Sequence, residues 1–543
     1  MQHNRRHFLK QLGFGALGLS VATTGWANAG TSLESLLSPA RTLKLPRSLP
    51  ATQGVEAAGL LNFTTAIEKA NLNVHSVMVV RHGHVVAEGW WAPYAPQLKH
   101  TLYSLSKAFT STAVGLAVAE GRLTVEDKVI SFFKDQLPET VSENLAAMRV
   151  KDLLTMSTGH EKEPTPQMRA DGNTNWIKAF LAAPVERKPG THFVYNSGAT
   201  YMLSAIVQKL SGQPLITYLQ PRLFGPLGIE GADWEVDPNG INTGGWGLRL
   251  HTEDIAKFGQ LYLQKGLWQG KRILSEAWVA DATKAQVMSA GGKRSAEVND
   301  WLQGYGYQFW RCRHNGYRGD GAMGQYCIVL PDQDAVVAIT SETGDMQAVM
   351  DAVWDNILTA FKPNALPADA AGTAALTKKL SSLALTYPNL EANSPLVSTI
   401  SGKTYAFEPN PTKTRSMSLT FGNGNCTVRL SDEQGSHQLT CGLNRWAESE
   451  STLSTKPIKL VPTPIPGEMR TRMAGTATWQ DPNTLLMTWR FIETAHYETV
   501  TCRFTADSVA VEFESSIAKI NKTKDARPVL QGKMQAGALS QKG

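Results

Sequence analysis

The sequence predicts a mixed α/β domain followed by a small antiparallel β-barrel or sandwich, and two changes of pattern along the chain predict it. In the N-terminal part, short alternating runs at both ends enclose a long helical and loop stretch, so one sheet is assembled from the two ends of the domain. Beyond about residue 395 the helical periods stop, and short alternating runs separated by turn signals take over. The length of 543 residues fits two folded units plus extensions, because single hydrophobic cores stop growing at about 250–300 residues.

Taken in order, a Leu- and Pro-rich lead gives way to "AAGLLNFTTAIEKANL", whose apolar residues recur at helical intervals. "HSVMVVRHGHVVAEGWW" alternates about "RHGH" as a hairpin of strands. "VKDLLTMSTGH", "ATYMLSAIVQKLSG" and "EDIAKFGQLYLQKG" have helical spacing, with glycines closing two of them. Strands resume from "YGYQFWRCR" through "GQYCIVLP" and "AVVAITS", and the amphipathic helix "DMQAVMDAVWDNILTAF" completes a domain over residues 50–362. Residues 363–395, rich in Ala, Pro, Asn and Ser, read as a linker, and 396–517 as the β-domain. Residues 518–543 have little to bury and read as a disordered tail.

Composition excludes several functions. Apolar residues make up 42% and charged residues 18%, and no uninterrupted apolar run approaches the roughly 20 residues that span a bilayer. The net charge is +6, but Arg5, Arg6 and Lys10 stand in an acid-free leader, leaving too little positive charge for a nucleic-acid footprint. That leader, residues 1–29, has a charged start, a short Gly- and Ala-rich apolar stretch and an Ala-x-Ala end at Ala27 and Ala29. It reads as an export signal, the alternative being an uncleaved anchor. The adjacent Arg5 and Arg6, followed by Phe8 and Leu9, resemble the twin-arginine type, which places the mature protein in a bacterial periplasm without stable membrane insertion. Of five cysteines, Cys426 and Cys441 flank "SDEQGS" symmetrically and face each other across a hairpin, either as a disulfide or as two buried thiols. Cys312, Cys327 and Cys502 complete the set, and the odd count leaves at least one thiol unpaired.

The segment "TLYSLSKAFTSTAVGLAVAEG" carries Ser104 and Lys107 at the head of an apolar-periodic run. Serine needs a base within hydrogen-bond reach to become a nucleophile, and three residues apart on a helix is the same face. The first turn also offers free N–H groups to a developing oxyanion. Lysine acts as base only when desolvation or a nearby cation lowers its pKa. The spacing alone is weak, since Ser131 with Lys134 and Ser516 with Lys519 match it without supporting context. The bland reading of Ser104 is a helix-capping serine beside a solvated lysine.

Context decides between them. Ser-x-x-Lys is the first signature of the serine β-lactamase and penicillin-binding protein superfamily. The chain resembles its class C branch over roughly residues 50–362, through "YSLSKAFTSTAVGLAVAEGRLTVEDKV", "VKDLLTMSTG", "KPGTHFVYNSGATYMLSAIVQKLSG", "GGWGLRLHTEDIAKFGQLYLQKG" and "GAMGQYCIVLPDQDAVVAITS". That branch includes class C β-lactamases, family VIII esterases, D-alanyl-D-alanine carboxypeptidases and 6-aminohexanoate-dimer hydrolase. The resemblance implies a β-lactamase/transpeptidase-like fold, an antiparallel sheet flanked by helices with a helical subdomain, and a C-terminal barrel of lipocalin-like type serving as an accessory module. It also implies catalysis without metal or cofactor.

By the same resemblance "FVYNSG" supplies the Tyr-x-Ser element, with Tyr195 beside Ser104 and Lys107, a phenol of lowered pKa that protonates the leaving group, and with Asn196 and Ser197 at the substrate. The asparagine that typical β-lactamases carry in the third place is here Ser197. "YRGDGAMGQYCIVL" replaces Lys-Thr-Gly with a Gly-x-x-Gly-Gln version, so that Gly321 is the close-approach glycine, the Ala322 N–H joins that of Ser104 in the oxyanion site, and Gln325 lies near the substrate. Arg318 or Arg249 would take over binding of a substrate carboxylate. His160 reads as a loop residue above the cleft, and Trp90, Trp91, Trp246 and Trp310 as core or pocket. No Gly-x-Ser-x-Gly elbow and no zinc-protease helix occurs. The expected activity is hydrolysis of a small-molecule ester or linear amide through an acyl-enzyme. β-Lactamase or D-alanyl-D-alanine carboxypeptidase activity is the enzymatic alternative, and a non-catalytic binding protein on the same fold is the other.

Overall fold

The computed structural model describes residues 44–290, 294–390, 394–455 and 459–535. The expected leader, residues 1–29, lies outside them. Helix α1 (Ala57–Lys69) leads into strands β1 (Val74–Arg81) and β2 (His84–Trp90). A small sheet follows from β3 (His100–Thr101), β4 (Asp233–Trp234) and β5 (Leu248–Leu250), with β5 in the middle. Between β3 and β4 run α2 (Ser106–Ala119) and α3 (Ser197–Ser211), and α4 (Thr252–Leu263) comes after β5. Strands β6 (Trp310–Arg311), β7 (Tyr317–Gly321), β8 (Gln325–Leu330) and β9 (Ala335–Ser341) then join β1 and β2 in one antiparallel sheet of order β2-β1-β9-β8-β7-β6.

The central strands β1, β8 and β9 are buried along their whole length, because helices cover both faces of the sheet. Side chains alternate between two cores. Val77 and Val79 pack with Leu60, Phe63 and Ile67 of α1 and with Val349, Val353 and Ile357 of α5 (Met346–Ala352, continued by wider turns through Leu358). Met78 and Val80 point the other way, into the core that holds Phe109 of α2 and Ile255 and Phe258 of α4. The sheet is thus built from both ends of the domain, as the sequence predicts.

Residues 363–395, which the sequence reads as a linker, contain a helix, α6 (Ala370–Ser381). Leu376 and, beyond the helix, Leu383 are buried against the α1 side of the sheet, so only one face of α6 is apolar and its alanine-rich remainder hides the period.

The β-domain runs β10 (Thr404–Phe407), β11 (Ser416–Gly422), β12 (Asn425–Asp432), β13 (Gly435–Leu443), β14 (Ala447–Ser451), β15 (Thr471–Asp481), β16 (Thr484–Phe491), β17 (Tyr497–Phe504), β18 (Ser508–Ser515), the short helix α7 (Ser516–Asn521) and β19 (Leu530–Met534). Nine of these strands close into a barrel through a parallel contact of β13 with β15, Cys441 opposite Gly475 and Leu443 opposite Ala477, while β14 hangs on β15 outside the ring. Its interior core holds Met417, Leu419, Val428, Trp479, Met487, Trp489, Val500 and Val511.

The expected disordered tail is corrected by this closure. Strand β19 pairs with β10 on one side and β18 on the other, so residues 518–535 are ordered parts of the barrel. "LQGKM" turns Leu530, Gly532 and, in part, Met534 inward, a period too short and too poor in large apolar side chains to announce a strand, and backbone pairing on both edges holds it. Residues 536–543 lie outside the described residues. Cys426 and Cys441 are direct cross-strand partners, and both are free, buried thiols in the barrel wall, as is Cys502.

Gly475 makes the seam possible. A Cβ there would lie 2.6 Å from the Thr440 carbonyl oxygen and 2.7 Å from Cys441 Sγ. Gly475→Ala is expected to lower unfolding free energy by about 1–3 kcal/mol in denaturant titration. Gly422→Ala, at a position with nothing within 4 Å, should stay within about 0.5 kcal/mol of wild type.

Candidate active site

Pairing of β3 with β5, extended by the Leu102 N–H donating to the Leu248 carbonyl at 2.9 Å, delivers the chain to a tight turn. Tyr103 has φ 44°, in the left-handed region that tyrosine disfavours, at a cost on the order of 1–3 kcal/mol. Ser104 follows in a single 3₁₀ turn (Tyr103–Leu105) that leads directly into α2. From the other side β7 arrives so close that a Cβ on Gly321 would sit 2.0 Å from the Leu102 carbonyl oxygen. Glycine is therefore obligatory, and this contact brings the Gly321–Ala322 end of β7 alongside the nucleophile turn.

Lys107 is 1% exposed in the first turn of α2. Its Nζ donates to Ser104 Oγ at 3.0 Å, to Ser197 Oγ at 3.1 Å and to the Gly245 carbonyl at 2.7 Å. Burial pushes the amine down to about 8, against the opposing pull of the Glu163 and Asp320 carboxylates. A value near 8 leaves roughly a tenth of the amine uncharged at pH 7, with a lone pair able to take the Ser104 proton, against well under one in a thousand for an ordinary lysine.

The Tyr195 ring lies under the amine, 4.9 Å from Nζ to the ring centroid. It stacks on Trp310 at 5.6 Å and meets Tyr305 edge-on at 6.4 Å. Its hydroxyl interacts with Ser104, which favours the phenolate, but burial and the Asp320 charge outweigh this and drive its pKa up. The expectation of a lowered phenol pKa is therefore corrected: Tyr195 stays protonated.

A profile of the Beta-lactamase family matches residues 62–360. The chain belongs to the beta-lactamase family. This family member is similar to the 6-aminohexanoate-dimer hydrolase of Paenarthrobacter ureafaciens, with 26% identity over 291 residues, 49% of this chain and 72% of that protein. It is 28% identical over 131 residues to the N-acetylmuramyl-L-alanine amidase of Bacillus subtilis (strain 168), 22% of this chain and 30% of the amidase. Among solved structures, the octameric penicillin-binding protein homologue from Pyrococcus abyssi aligns over 87% of this chain and 99% of its own, with 15% identity and a TM-score of 0.44.

The structure of this beta-lactamase-family chain sorts the expected site residues. Ser104, Lys107, Tyr195 and Ser197 converge. Asn196 does not face a substrate: it caps α3, accepting from the Ala199 N–H at 3.0 Å and donating to Thr158 Oγ1 at 3.3 Å, fully buried. Gln325 is likewise buried, and its Nε2 donates to the carbonyls of Ala322 and Ser341 at 3.0 and 2.7 Å, so it braces the turn that carries Ala322. Arg318 is inaccessible, paired with Asp320 at 2.9 Å and covered by Trp301, and Arg249 is tied to Asp233 and Glu468 at 2.7 Å each. Neither guanidinium is free to take a substrate carboxylate. His160 is buried against Phe180 with its Nδ1 on Thr158 Oγ1, rather than sitting above the cleft. Trp310 is a wall of the site, stacked on Tyr195, and Trp246, the residue after Gly245, is buried.

Sequence reasoning missed three groups. The Gly245 carbonyl, within the "GGWG" landmark, holds the base, and no side chain announces it. Glu163 accepts from the Ser197 N–H at 2.6 Å and from Thr165 Oγ1 at 2.8 Å, fixing the start of α3. Asp320, one position before Gly321, adds a buried negative charge that acts on both Lys107 and Tyr195. Of the two other Ser-x-x-Lys pairs, the Ser131 hydroxyl donates to the Lys128 carbonyl, and Lys519 pairs with Glu514 at the surface.

A base with a pKa of about 8 predicts an acid limb. Because Lys107 must be neutral to accept a proton, the rate of Ser104 acylation should rise with pH and level off with a midpoint near 8 in the free enzyme. Lys107→Arg, permanently charged, should lose about 100- to 10,000-fold in kcat at every pH tested by stopped-time ester assays.

Proposed function

We propose that the protein is a serine hydrolase that forms an acyl-enzyme on Ser104 from an ester or small linear amide, in the manner of 6-aminohexanoate-dimer hydrolase and the related esterases. The observation that carries this reading is the buried Lys107 amine within hydrogen-bond reach of Ser104 Oγ. Ser104 Oγ attacks the carbonyl carbon and its proton passes to Lys107 Nζ. Backbone N–H groups of Ser104 and Ala322 receive the oxyanion. Tyr195 protonates the departing alcohol or amine as the carbonyl re-forms and regains its proton from Lys107. Water then attacks the acyl-enzyme, giving a proton to Lys107 that returns to Ser104 Oγ as the acid leaves.

The engaged arginines favour an ester substrate over β-lactams and D-alanyl peptides. Those substrates present a carboxylate, and Arg318 and Arg249, the guanidinium groups that the sequence offers for it, are already paired with Asp320, Asp233 and Glu468. A neutral ester needs no such partner. Intact mass after a fluorophosphonate probe should show one adduct on wild type and none on Ser104→Ala. Turnover of p-nitrophenyl esters without hydrolysis of nitrocefin supports the ester or amide reading, and rapid nitrocefin hydrolysis would replace it with the β-lactamase alternative.

We further infer export to the periplasm, on the strength of the residue 1–29 leader. Replacing Arg5 and Arg6 together by Lys should leave the chain in the cytoplasmic fraction of a bacterial host, and unchanged periplasmic recovery would refute twin-arginine transport.

A further inference from the structure

The residue ahead of the nucleophile is held by the C-terminal domain. Tyr103 sends its hydroxyl to His496 Nε2, and His496 lies in the turn between β16 and β17 of the barrel. The His496 side chain is 3% exposed, and its Nδ1 donates to Glu342 Oε1 at 2.7 Å, just past the end of β9. Nδ1 is committed to a carboxylate, and the other ring nitrogen, Nε2, meets the phenol of Tyr103. Both ends of the relay are anchored. The Glu342 N–H donates to the Asn73 carbonyl at 3.0 Å and the carboxylate also accepts from Ser516 Oγ, while the His496 N–H donates to Thr494 Oγ1 at 3.0 Å.

A second strand of the same domain reaches the base. In the connection between β14 and β15, Thr463 Oγ1 accepts from Trp246 Nε1 at 2.9 Å, and the Pro464 carbonyl accepts from the Val236 N–H at 2.9 Å. Trp246 is the neighbour of Gly245, whose carbonyl holds Lys107. The barrel therefore holds the side chain of the residue before Ser104 and the side chain of the residue after Gly245.

We propose that His496, backed by Glu342, is a positioning residue for acylation, so that the barrel completes the active site by holding Tyr103 in its left-handed conformation and Ser104 at its attacking position. This rests on Ser104 being the nucleophile. Left-handed φ at tyrosine persists only where surroundings over-determine it. The tie from His496 supplies that constraint, since relaxation of Tyr103 would swing the next Cα and carry the Ser104 hydroxyl away from Lys107. Displacements of about 1 Å at a nucleophile cost on the order of 100-fold in rate.

The test uses the full-length protein and the rate constant of fluorophosphonate labelling at Ser104, with kcat and KM for a p-nitrophenyl ester alongside. His496→Ala is expected to slow labelling and lower kcat by about 10- to 100-fold with KM changed by less than about threefold. Tyr103→Phe, which keeps the ring and loses only the hydroxyl, should reproduce that loss, and it carries the test if His496→Ala fails to fold. The double variant should be no slower than either single one, because both remove the same link. His496→Gln, whose amide reaches as far as Nε2, should restore part of the rate, whereas His496→Asn, which can meet only Glu342, should not. Wild-type labelling rates in His496→Ala and Tyr103→Phe, or losses that multiply in the double variant, would overturn the proposal and leave the nucleophile assignment standing. No labelling of wild type at Ser104 would instead remove that assignment, and this inference with it.

Discussion

The structure turns on a lysine amine held out of water. Lys107 Nζ is enclosed by two hydroxyls and one carbonyl, and every one of these contacts comes from a different stretch of chain: the turn before α2, the start of α3 and the loop before β5. Desolvation makes the amine available as a base, and the three acceptors keep a buried cation tolerable when it is protonated. A shift in any of the three segments would either hydrate the amine or strand it, so the packing of α2, α3 and the small β3-β5-β4 sheet is set by the needs of one side chain.

Backbone proximity supplies the rest. The Gly321 contact with Leu102 leaves no room for a side chain, and the braces around it are polar and buried: Gln325 ties the turn to β9, and Asp320 pairs with Arg318 behind the strand. Asp320 has two effects at once. Together with burial its charge holds Tyr195 protonated, and it opposes the depression of Lys107.

The C-terminal barrel is tied into the hydrolase domain rather than appended to it. Ala474 and Ile492 of the barrel pack into the core on the α1 side of the sheet, Tyr94 donates to the Thr494 carbonyl at 3.2 Å, and Arg249 bridges to Glu468 at 2.7 Å. These contacts close the domain interface beside the nucleophile turn.

By itself the sequence determined the α/β domain with its sheet from two ends, the all-β domain after it, and the pairing of Ser104 with Lys107, because amphipathic periods and a local Ser-x-x-Lys spacing are properties of neighbouring residues, while Tyr195 and Ser197 joined that pair only through the resemblance of "FVYNSG" to a family motif. It did not determine the roles of Asn196, Gln325, Arg318 and Arg249, which share motifs with the reactive groups but spend their polar atoms on capping, bracing and ion pairs. Nor did it reveal β19, the Gly245 carbonyl or the His496 contact, since a closing strand is recognised by its partners' edges, a backbone acceptor has no residue signature, and His496 lies 393 positions from Tyr103. Only the tertiary structure decided these, for the physical reason that burial and hydrogen-bond satisfaction are settled between segments distant in the chain.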